Sequence, residues 1–206
     1  DPSTFAEHFA LGGALARAAR AFLGAAAFAI RRNDFQSALA FAERAEALGV
    51  PEECRVELHT HRGKAYAAIA KWELARAEFQ TAVTHTGPQA NDRRAELLTQ
   101  LTVAAYWALD IKAARLHALD ALALADLLGR DDLAASIMSL QGMISTAEGD
   151  VLGGLECFRL ANQRAGEEKI VALQPTLCYW LGWIDQACRD GLRVVEIARE
   201  IRDVTT

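Results

Sequence analysis

The sequence predicts an all-α protein, an α/α superhelix or solenoid of about five helix pairs preceded by a short N-terminal helix. Two observations predict this class. Between the breaks of the chain, apolar residues recur at intervals of three and four, which is the helical period, and no useful length alternates at a period of two. The breaks themselves recur at a fixed spacing, and a period of about 20 to 50 residues indicates a repeat architecture.

Composition narrows the class of protein. The 206 residues are 52% hydrophobic and 24% charged, with only 4 prolines, so the chain can form a helical core. Its net charge of −5 disfavours nucleic acid as a direct partner, because phosphate binding needs clustered lysine and arginine. No uncharged apolar run approaches the length of about 18 residues that suggests a membrane span. We therefore expect neither nucleic acid nor membrane as a direct partner.

The cysteines and the start of the chain indicate the cellular compartment of the protein and its relation to a longer chain. Four widely spaced cysteines without a C-x-x-C pair suit reduced thiols in a cytoplasmic protein better than a disulfide framework. The charged start has no hydrophobic segment of the kind found in signal peptides. Since the chain also begins without methionine, we expect it to be a fragment of a longer protein.

Glycine, proline, asparagine and aspartate divide the chain into predicted elements. A short helix, "AEHFA" at 6–10, precedes the Gly12-Gly13 break. Predicted tight turns within the helix pairs lie at 31–34, 70–72, 109–111, 148–151 and 189–191. Predicted looser breaks between pairs lie at 48–53, 86–92, 128–132 and 164–168. We expect one repeat domain over 1–206, with units at approximately 14–50, 51–88, 89–129, 130–166 and 167–206.

The stretch "GKAYAAIAKWELARAEFQTA" at 63–82 predicts one complete helix hairpin. Glycine inside a helix costs roughly 1 kcal/mol relative to alanine, so Gly63 needs a compensating close approach of the second helix. Ala75, Phe79 and Ala82 lie at i, i+4 and i+7 and form the stripe that faces back. Aligning the tight turns places a small residue at Gly63, Thr102, Gly142 and Gly182, at separations of 39, 40 and 40 residues.

These residues resemble the tetratricopeptide repeat (TPR) family, whose unit combines a small residue, an acidic turn and an alanine–aromatic–alanine stripe. Residues 63–82 match except at Lys71, which replaces the usual acid. The other matching positions are Ala26, Asp34, Phe35, Ala38 and Ala45; Thr102, Asp110, Ala114, Ala118 and Ala121; Gly142, Gly149, Asp150, Phe158 and Ala161; and Leu181, Gly182 and Asp190. Gly154 stands where the family has alanine. A period near forty exceeds the family's usual thirty-four and implies longer helices.

Residues 5–48 also resemble the segment that follows the ATPase module in large bacterial regulators, including LuxR-type and maltose-activator-like transcription activators. The shared features are the short first helix, the Gly12-Gly13 break and the alanine-rich helix pair that follows. The resemblance implies attached ATPase and output domains outside this chain. It also implies a role in bacterial signalling or transcription regulation.

The sequence offers no catalytic chemistry. Neither a G-x-x-x-x-G-K-[ST] loop nor a G-x-G-x-x-G loop occurs, and the five histidines form no H-x-x-x-H pair. His59 and His61 are two residues apart and should point to different sides of a helix. No nucleophile–base or paired-carboxylate arrangement can be assembled from the pattern. We therefore predict a non-enzymatic protein without a cofactor or metal.

The predicted binding surface is the concave side, because the first helix of each pair lines that side of a stacked solenoid. A groove with aromatic, hydroxyl and cationic side chains suits a peptide, a partner domain or a small ligand. The candidate residues are Thr60, Lys64, Thr99, Val103, Tyr106, Trp107, Ser139, Met143, Thr146, Tyr179, Trp183 and Gln186. The positions of the family's carboxylate clamp hold Thr60, Lys64, Thr99 and Val103, which disfavours a clamp for chaperone C-termini.

Two alternatives stay open at this point. Trp107 and Trp183 face either the groove or the core, whereas Trp72 and Trp180 are assigned to packing. The module either senses an effector and controls attached domains, or acts as a stand-alone scaffold that assembles protein partners.

Overall fold

The computed structural model describes residues 2–89, 91–165 and 184–200, which form ten α-helices and one short 3-10 turn. The chain divides into two compact units, Asp1–Asp110 and Ile111–Thr206. The helices of the first unit are α1 (Pro2–Leu11), α2 (Leu15–Arg31), α3 (Phe35–Ala47), α4 (Arg55–Ala68), α5 (Trp72–Thr86) and α6 (Asp92–Trp107), with the 3-10 turn at Glu52–Cys54. Those of the second are α7 (Ile111–Leu127), α8 (Asp131–Ala147), α9 (Val151–Ala165) and α10 (Ile184–Glu200).

Four of the predicted tight turns are confirmed, and they share one backbone geometry. Each has a residue in the left-handed region: Asn33 (φ 58°), Ala70 (φ 56°), Leu109 (φ 62°) and Gly149 (φ 93°). The next residue donates its N–H to the carbonyl five positions back, as Lys71 does to Tyr66 at 2.9 Å. This bond is the 6→1 closure that commonly ends helices.

The fifth predicted turn, at 189–191, is wrong, because α10 continues through it from Ile184 to Glu200. Gln186 Nε2 donates to both carboxylate oxygens of Asp190, at 2.7 and 2.8 Å. Asp190 is buried and therefore meets a partner one turn back on its own helix instead of capping a new one. The predicted break at 164–168 lies largely outside the described residues, since α9 ends at Ala165.

The first unit is built by stacking neighbouring helices. Helix α1 packs on α2, and α2 packs on α3. Both α2 and α3 contact α4, and α5 packs between α4 and α6. Phe22, Leu23 and Leu58 fill one core cluster, in which the alanines of α1, α2 and α3 supply the surrounding small side chains. Small residues at these contacts let helix axes approach to about 8–10 Å.

A close glycine–phenylalanine contact closes the α4–α5 hairpin, as the sequence predicts. A Cβ atom placed on Gly63 would lie 2.6 Å from the ring of Phe79, which leaves room only for glycine. Phe79 is 1% exposed and is flanked by the fully buried Ala75 and Ala82. The aromatic ring therefore occupies the space that the missing side chain provides.

The second unit repeats this contact between α8 and α9. A Cβ atom on Gly142 would collide with the ring of Phe158, and it would lie 2.9 Å from the backbone oxygen of Gly154. Gly154, which replaces the family's alanine, therefore allows the two backbones to approach even more closely. The α7 helix packs on α8 in the same unit.

Two further findings bear on the sequence predictions. Among the described helices, none combines the length and the apolar character needed to cross a membrane. Cys54, Cys157 and Cys188 are free thiols, while Cys178 lies outside the described residues.

Candidate ligand-binding pocket between helices α4 and α6

A pocket of about 640 Å³ lies in the first unit, and every residue that lines it belongs to α4 or α6. These are the first helices of the predicted second and third repeat units. Helix α4 contributes Glu57, Thr60, His61 and Lys64, and helix α6 contributes Asp92, Arg93, Glu96, Leu97 and Gln100. Leu97 is the one apolar side chain of this lining, so the pocket offers polar and charged groups on both walls.

Helical spacing explains the α4 wall. Its four pocket residues lie at i, i+3, i+4 and i+7, and residues at these intervals share one face of a helix. A different face carries Gly63, against which Phe79 of α5 packs. Helix α4 thus has one face for the hairpin and another for the pocket.

The α6 wall begins at a capped helix terminus. Asn91 Oδ1 accepts a hydrogen bond from the backbone N–H of Arg94 at 2.8 Å, which satisfies a donor that the helix itself leaves unpaired. Leu98, Leu101 and Ala105 are buried on the packing side of α6. This anchoring presents Arg93, Glu96 and Gln100 to the pocket.

His61 is a pocket residue whose hydrogen-bonding capacity the described residues do not satisfy. Its buried Nδ1 has no hydrogen-bond partner within the described chain. Burial and the positive charges of Lys64, Arg93 and Arg31 lower the pKa of His61 to about 4. The imidazole is therefore neutral at pH 7.

The second histidine pointed out in the sequence, His59, lies on another side of α4, as predicted. Its Nδ1 is 2.6 Å from Glu78 Oε2 of α5, and its ring stacks on that of His85 with centroids 5.6 Å apart. No group of three or more histidine, cysteine or acidic side chains in the described residues is arranged to hold a metal ion. His59 thus belongs to the α4–α5 contact.

Of the predicted groove residues on α4 and α6, Thr60 and Lys64 line the pocket. Thr99 is 8% exposed, and its hydroxyl donates to the carbonyl of Ala95 on its own helix at 2.9 Å. Val103 is half-buried and is not among the lining residues. Ligand binding at Thr99 and Val103 stays a prediction.

Tyr106 and Trp107 form an aromatic cluster with Trp72 at the C-terminal end of α6. The Trp72 and Trp107 rings stack with centroids 5.8 Å apart, and Tyr106 meets Trp107 edge-on at 5.3 Å. Trp107 remains 49% exposed. One face of its indole therefore packs against Trp72 while much of the side chain remains open to solvent.

In the second unit, the predicted residues of α8 contact their own hairpin. Met143 packs against Leu155 and Phe158, and Thr146 lies beside Gly154. The Ser139 hydroxyl donates to the carbonyl of Ala135 at 3.0 Å. Gln186 holds the carboxylate of Asp190, as described above, while Tyr179 and Trp183 lie outside the described residues.

Sequence reasoning missed seven of the nine lining residues, among them His61 and Arg93. A signal for several of them was present in the repeat. Glu57 and Glu96 are 39 residues apart, as are His61 and Gln100, which is the offset between Gly63 and Thr102. Reading the same two repeat positions in both units identifies residues on opposite walls of the pocket.

No protein-family model matches the sequence, and neither does any curated protein. Solved structures do match its fold. The Rap conjugation gene regulator of the plasmid pLS20 in complex with the Phr* peptide has a TM-score of 0.72 at 20% identity, covering 88% of this chain and 53% of that chain. A Rap protein complexed with Competence and Sporulation Factor has a TM-score of 0.76 at 16% identity, covering 90% and 55%. This chain thus spans about half the length of the two Rap chains.

A third similar structure is YrrB, described as a TPR protein with an unusual peptide-binding site. Its TM-score is 0.59 at 16% identity, and the match covers 86% of this chain and 84% of that chain. At such identities the comparisons establish the fold. The chain has the all-α, TPR-like helical repeat fold of a solenoid, as the sequence predicts.

Proposed function

We propose that this chain is a non-enzymatic module that binds a peptide or an extended segment of a partner protein in the pocket between α4 and α6. In this proposal, the predicted units at 51–88 and 89–129 each supply one wall. The observation that carries it is the pocket itself, whose volume of about 640 Å³ is lined by the first helices of two successive units. Ligand sites of about 300–1,000 Å³ are common in proteins, so a few peptide residues fit this volume.

The chemistry of the pocket favours a peptide over an apolar metabolite. A peptide presents amide donors and acceptors along its backbone, and Thr60 and Gln100 offer neutral hydrogen-bonding groups to them. Carboxylates and cations on the same walls suit the charged side chains of such a ligand. The structures with similar folds add support, because two are complexes with Phr* or Competence and Sporulation Factor and the third has a peptide-binding site.

We further propose that the module senses its ligand for a larger bacterial regulator of the cytoplasm. The resemblance of residues 5–48 to the segment after the ATPase of LuxR-type and maltose-activator-like regulators supports this context. In such a protein, ATPase and output domains outside this chain respond to the occupied pocket. The alternative is a stand-alone scaffold, in which the same pocket holds a partner constitutively.

A selection from a random peptide library tests the proposed site. Peptides selected against the wild-type chain are measured for binding to Gln100→Trp, which fills the pocket from α6, and to Gln80→Trp on α5. Both glutamines are exposed on helices, and only Gln100 lines the pocket. We expect Gln100→Trp to weaken binding at least tenfold and Gln80→Trp to leave it unchanged.

Equal binding to both variants would place the ligand elsewhere. A native mass spectrum beside a denatured one separates the sensor from the scaffold alternative. A small molecule released on denaturation favours the sensor, whereas binding confined to folded partner proteins favours the scaffold.

A further inference from the structure

Helix α7 carries apolar side chains on two opposite faces. Its packed face holds four fully buried alanines, Ala114, Ala118, Ala121 and Ala125. The opposite face holds the exposed residues Leu116, Leu119, Ala123 and Leu127, here called the α7 stripe. These four lie at i, i+3, i+7 and i+11, and residues at such intervals share one face of a helix.

The leucines of the α7 stripe are open to solvent to an unusual degree. Leu116, Leu119 and Leu127 are 63%, 52% and 73% exposed. A surface helix normally places polar or charged residues opposite its packed face, whereas a helix that is apolar all round is normally buried. Helix α7 therefore has the sequence of a helix that is covered on both sides, although only one of its faces is buried.

The second helices of the neighbouring predicted units differ from α7 at the positions of the stripe. In α5, 39 residues earlier, the positions of Leu116, Leu119 and Ala123 hold Ala77, Gln80 and Thr84. In α9, 40 residues later, they hold Glu156, Arg159 and Gln163. All six of these side chains are exposed. The repeat thus does not need leucine here for its own packing, and the stripe distinguishes α7 from α5 and α9.

The α7 stripe is complementary to a second copy of itself. Leu119 is the middle residue of α7, which extends over 17 residues from Ile111 to Leu127. If two α7 helices pack antiparallel about a two-fold axis at Leu119, Leu116 of each copy lies opposite Ala123 of the other. Large side chains then face small ones along the contact, which favours close packing. The same surface serves both copies, as a two-fold contact requires.

The charges at the two ends of α7 favour the same arrangement. Lys112 is exposed in the first turn, where the helix dipole disfavours a cation, and it forms no ion pair with any described residue. Antiparallel packing places it opposite Asp126 of the other copy, near the negative end of that helix. Asp126 already binds Arg164 at 2.6 Å, and a carboxylate has room for a second donor.

We propose that this chain self-associates through the α7 stripe, as an antiparallel pair of α7 helices related by a two-fold axis at Leu119. This inference goes beyond the proposed function, because α7 belongs to the second unit and the α4–α6 pocket to the first. The acidic residues Asp120 and Asp126 beside the stripe disfavour an anionic membrane surface as its occupant. A contact along one helix of about 25 Å is small for a stable dimer, so we expect a Kd of about 1–100 µM.

Sedimentation equilibrium of the wild-type chain between about 1 and 200 µM measures this association. Leu119→Glu places a charge at the two-fold axis and should weaken the dimer by at least about tenfold. Leu152→Glu is the matched control, because Leu152 is 61% exposed on α9 and lies outside the stripe, and it should dimerise like the wild type. Circular dichroism checks that both variants keep the helical content of the wild type.

Asp120 provides a change in the opposite direction. It is exposed beside the midpoint of α7, where the two-fold axis brings it near Asp120 of the other copy. Asp120→Asn removes this repulsion and should tighten the dimer by about threefold. A wild-type chain that stays monomeric at the highest concentration, or a Leu119→Glu variant that dimerises equally well, would overturn the inference.

Cysteine crosslinking tests the antiparallel orientation. The two copies of position 119 meet at the axis, so Leu119→Cys should form a covalent dimer on oxidation. The two copies of position 112 lie at opposite ends of the contact, about 20 Å apart, so Lys112→Cys should not crosslink with itself.

A mixture of Lys112→Cys and Asp126→Cys, in contrast, should give the mixed covalent dimer. The wild type measures the background from the protein's own free thiols. Crosslinking of Lys112→Cys with itself as efficiently as Leu119→Cys would show that the helices do not pair in the antiparallel orientation and would overturn the proposed dimer.

Discussion

Gly63 and Gly24 both lie inside helices of the first unit, yet their surroundings are opposite. A Cβ atom on Gly63 meets the buried ring of Phe79, whereas a Cβ atom on Gly24 meets nothing within 4 Å. Glycine is unfavourable at both positions for reasons of backbone entropy. Only at Gly63 does a packing contact compensate for it.

The same substitution should therefore change stability in opposite directions. Gly63→Ala forces the buried Phe79 ring to move, and overpacking of this kind costs about 1–3 kcal/mol. Gly24→Ala should stabilise the protein by about 0.5–1 kcal/mol, because alanine restricts the unfolded chain and favours helix. Chemical denaturation of both variants measures the two free energies of unfolding. A stabilised Gly63→Ala would show that the hairpin does not depend on the close approach.

His61 gives the stability of the protein a dependence on pH. Its folded-state pKa of about 4 is below the ordinary value of 6.5, so between these values the unfolded chain binds the proton and the folded chain does not. Stability is therefore lost as the pH falls from 6.5 towards 4. Each pKa unit corresponds to about 1.4 kcal/mol, so the loss from this residue is at most about 3.5 kcal/mol.

Urea denaturation at pH 7.5 and pH 4.5 measures this contribution. The free energy of unfolding of His61→Gln should fall less between these pH values than that of the wild type. His8→Gln, at an exposed position of α1, serves as the control and should follow the wild type. Parallel behaviour of wild type and His61→Gln would contradict the lowered pKa of the buried His61 imidazole.

At the scale of the element, helix α6 depends on how it begins. Asn91 caps its N-terminus, and the Arg94 side chain donates to the carbonyls of Val83 and Gly87 at 3.1 and 2.6 Å, which ties α6 to the end of α5. The pocket residues Asp92 and Arg93 lie between these two attachments. The α6 wall is therefore fixed in place at its first turn.

Removing the cap should weaken that wall. Asn91→Ala leaves the backbone N–H of Arg94 without its partner and should reduce stability by about 1 kcal/mol. Asn91→Asp keeps an acceptor at the same place and should remain close to the wild type. Thermal unfolding followed by circular dichroism compares the two variants. Equal losses in both would assign the effect to the asparagine amide group and not to the cap.

The helices were predictable because their signals are local. Apolar periodicity and turn residues placed four intra-pair turns correctly, and Gly63 indicated its own contact with Phe79. The turn at 189–191 was mispredicted, because Asp190 in sequence resembles a helix cap. Its actual partner, Gln186, lies one turn earlier on the same helix, and a continuous helix satisfies both side chains.

The pocket was less predictable than the helices. Its lining depends on which side chains of α4 and α6 lie in the space between these two helices. Periodicity assigned Thr60 and Thr99 to equivalent positions, yet Thr60 lines the pocket and Thr99 is buried. Periodicity alone does not give the orientation of one helix relative to another, which the packing of whole helices sets. The role of Arg93 has the same origin, since its charge acts on His61 only across the pocket.

At the scale of the molecule, the chain has two compact units, and each contains its own closed hairpin. Gly63 packs on Phe79 in the first unit, and Gly142 packs on Phe158 in the second. In repeat proteins, stability is approximately a sum of individual repeats and their nearest-neighbour contacts. We therefore expect a substitution that destabilises the hairpin of one unit to leave the hairpin of the other unit folded.

Hydrogen exchange measured by mass spectrometry tests this expectation. Gly63→Ala should speed amide exchange in α4 and α5 and leave α8 and α9 as protected as in the wild type. Gly142→Ala should have the converse effect. Faster exchange throughout the chain in either variant would show that the two units unfold in one cooperative step.

The glycine–phenylalanine contact has an evolutionary consequence. In both hairpins, the two residues are 16 positions apart, so a gene segment of about forty codons encodes both members of the pair. A duplicated segment would therefore bring its own closing contact with it, and no compensating change elsewhere would be needed. Because the pocket lies between the first helices of two successive hairpins, each new copy would also add a binding wall whose side chains can diverge. Proteins of this kind can acquire new ligands by gaining copies, while the older pocket keeps its own.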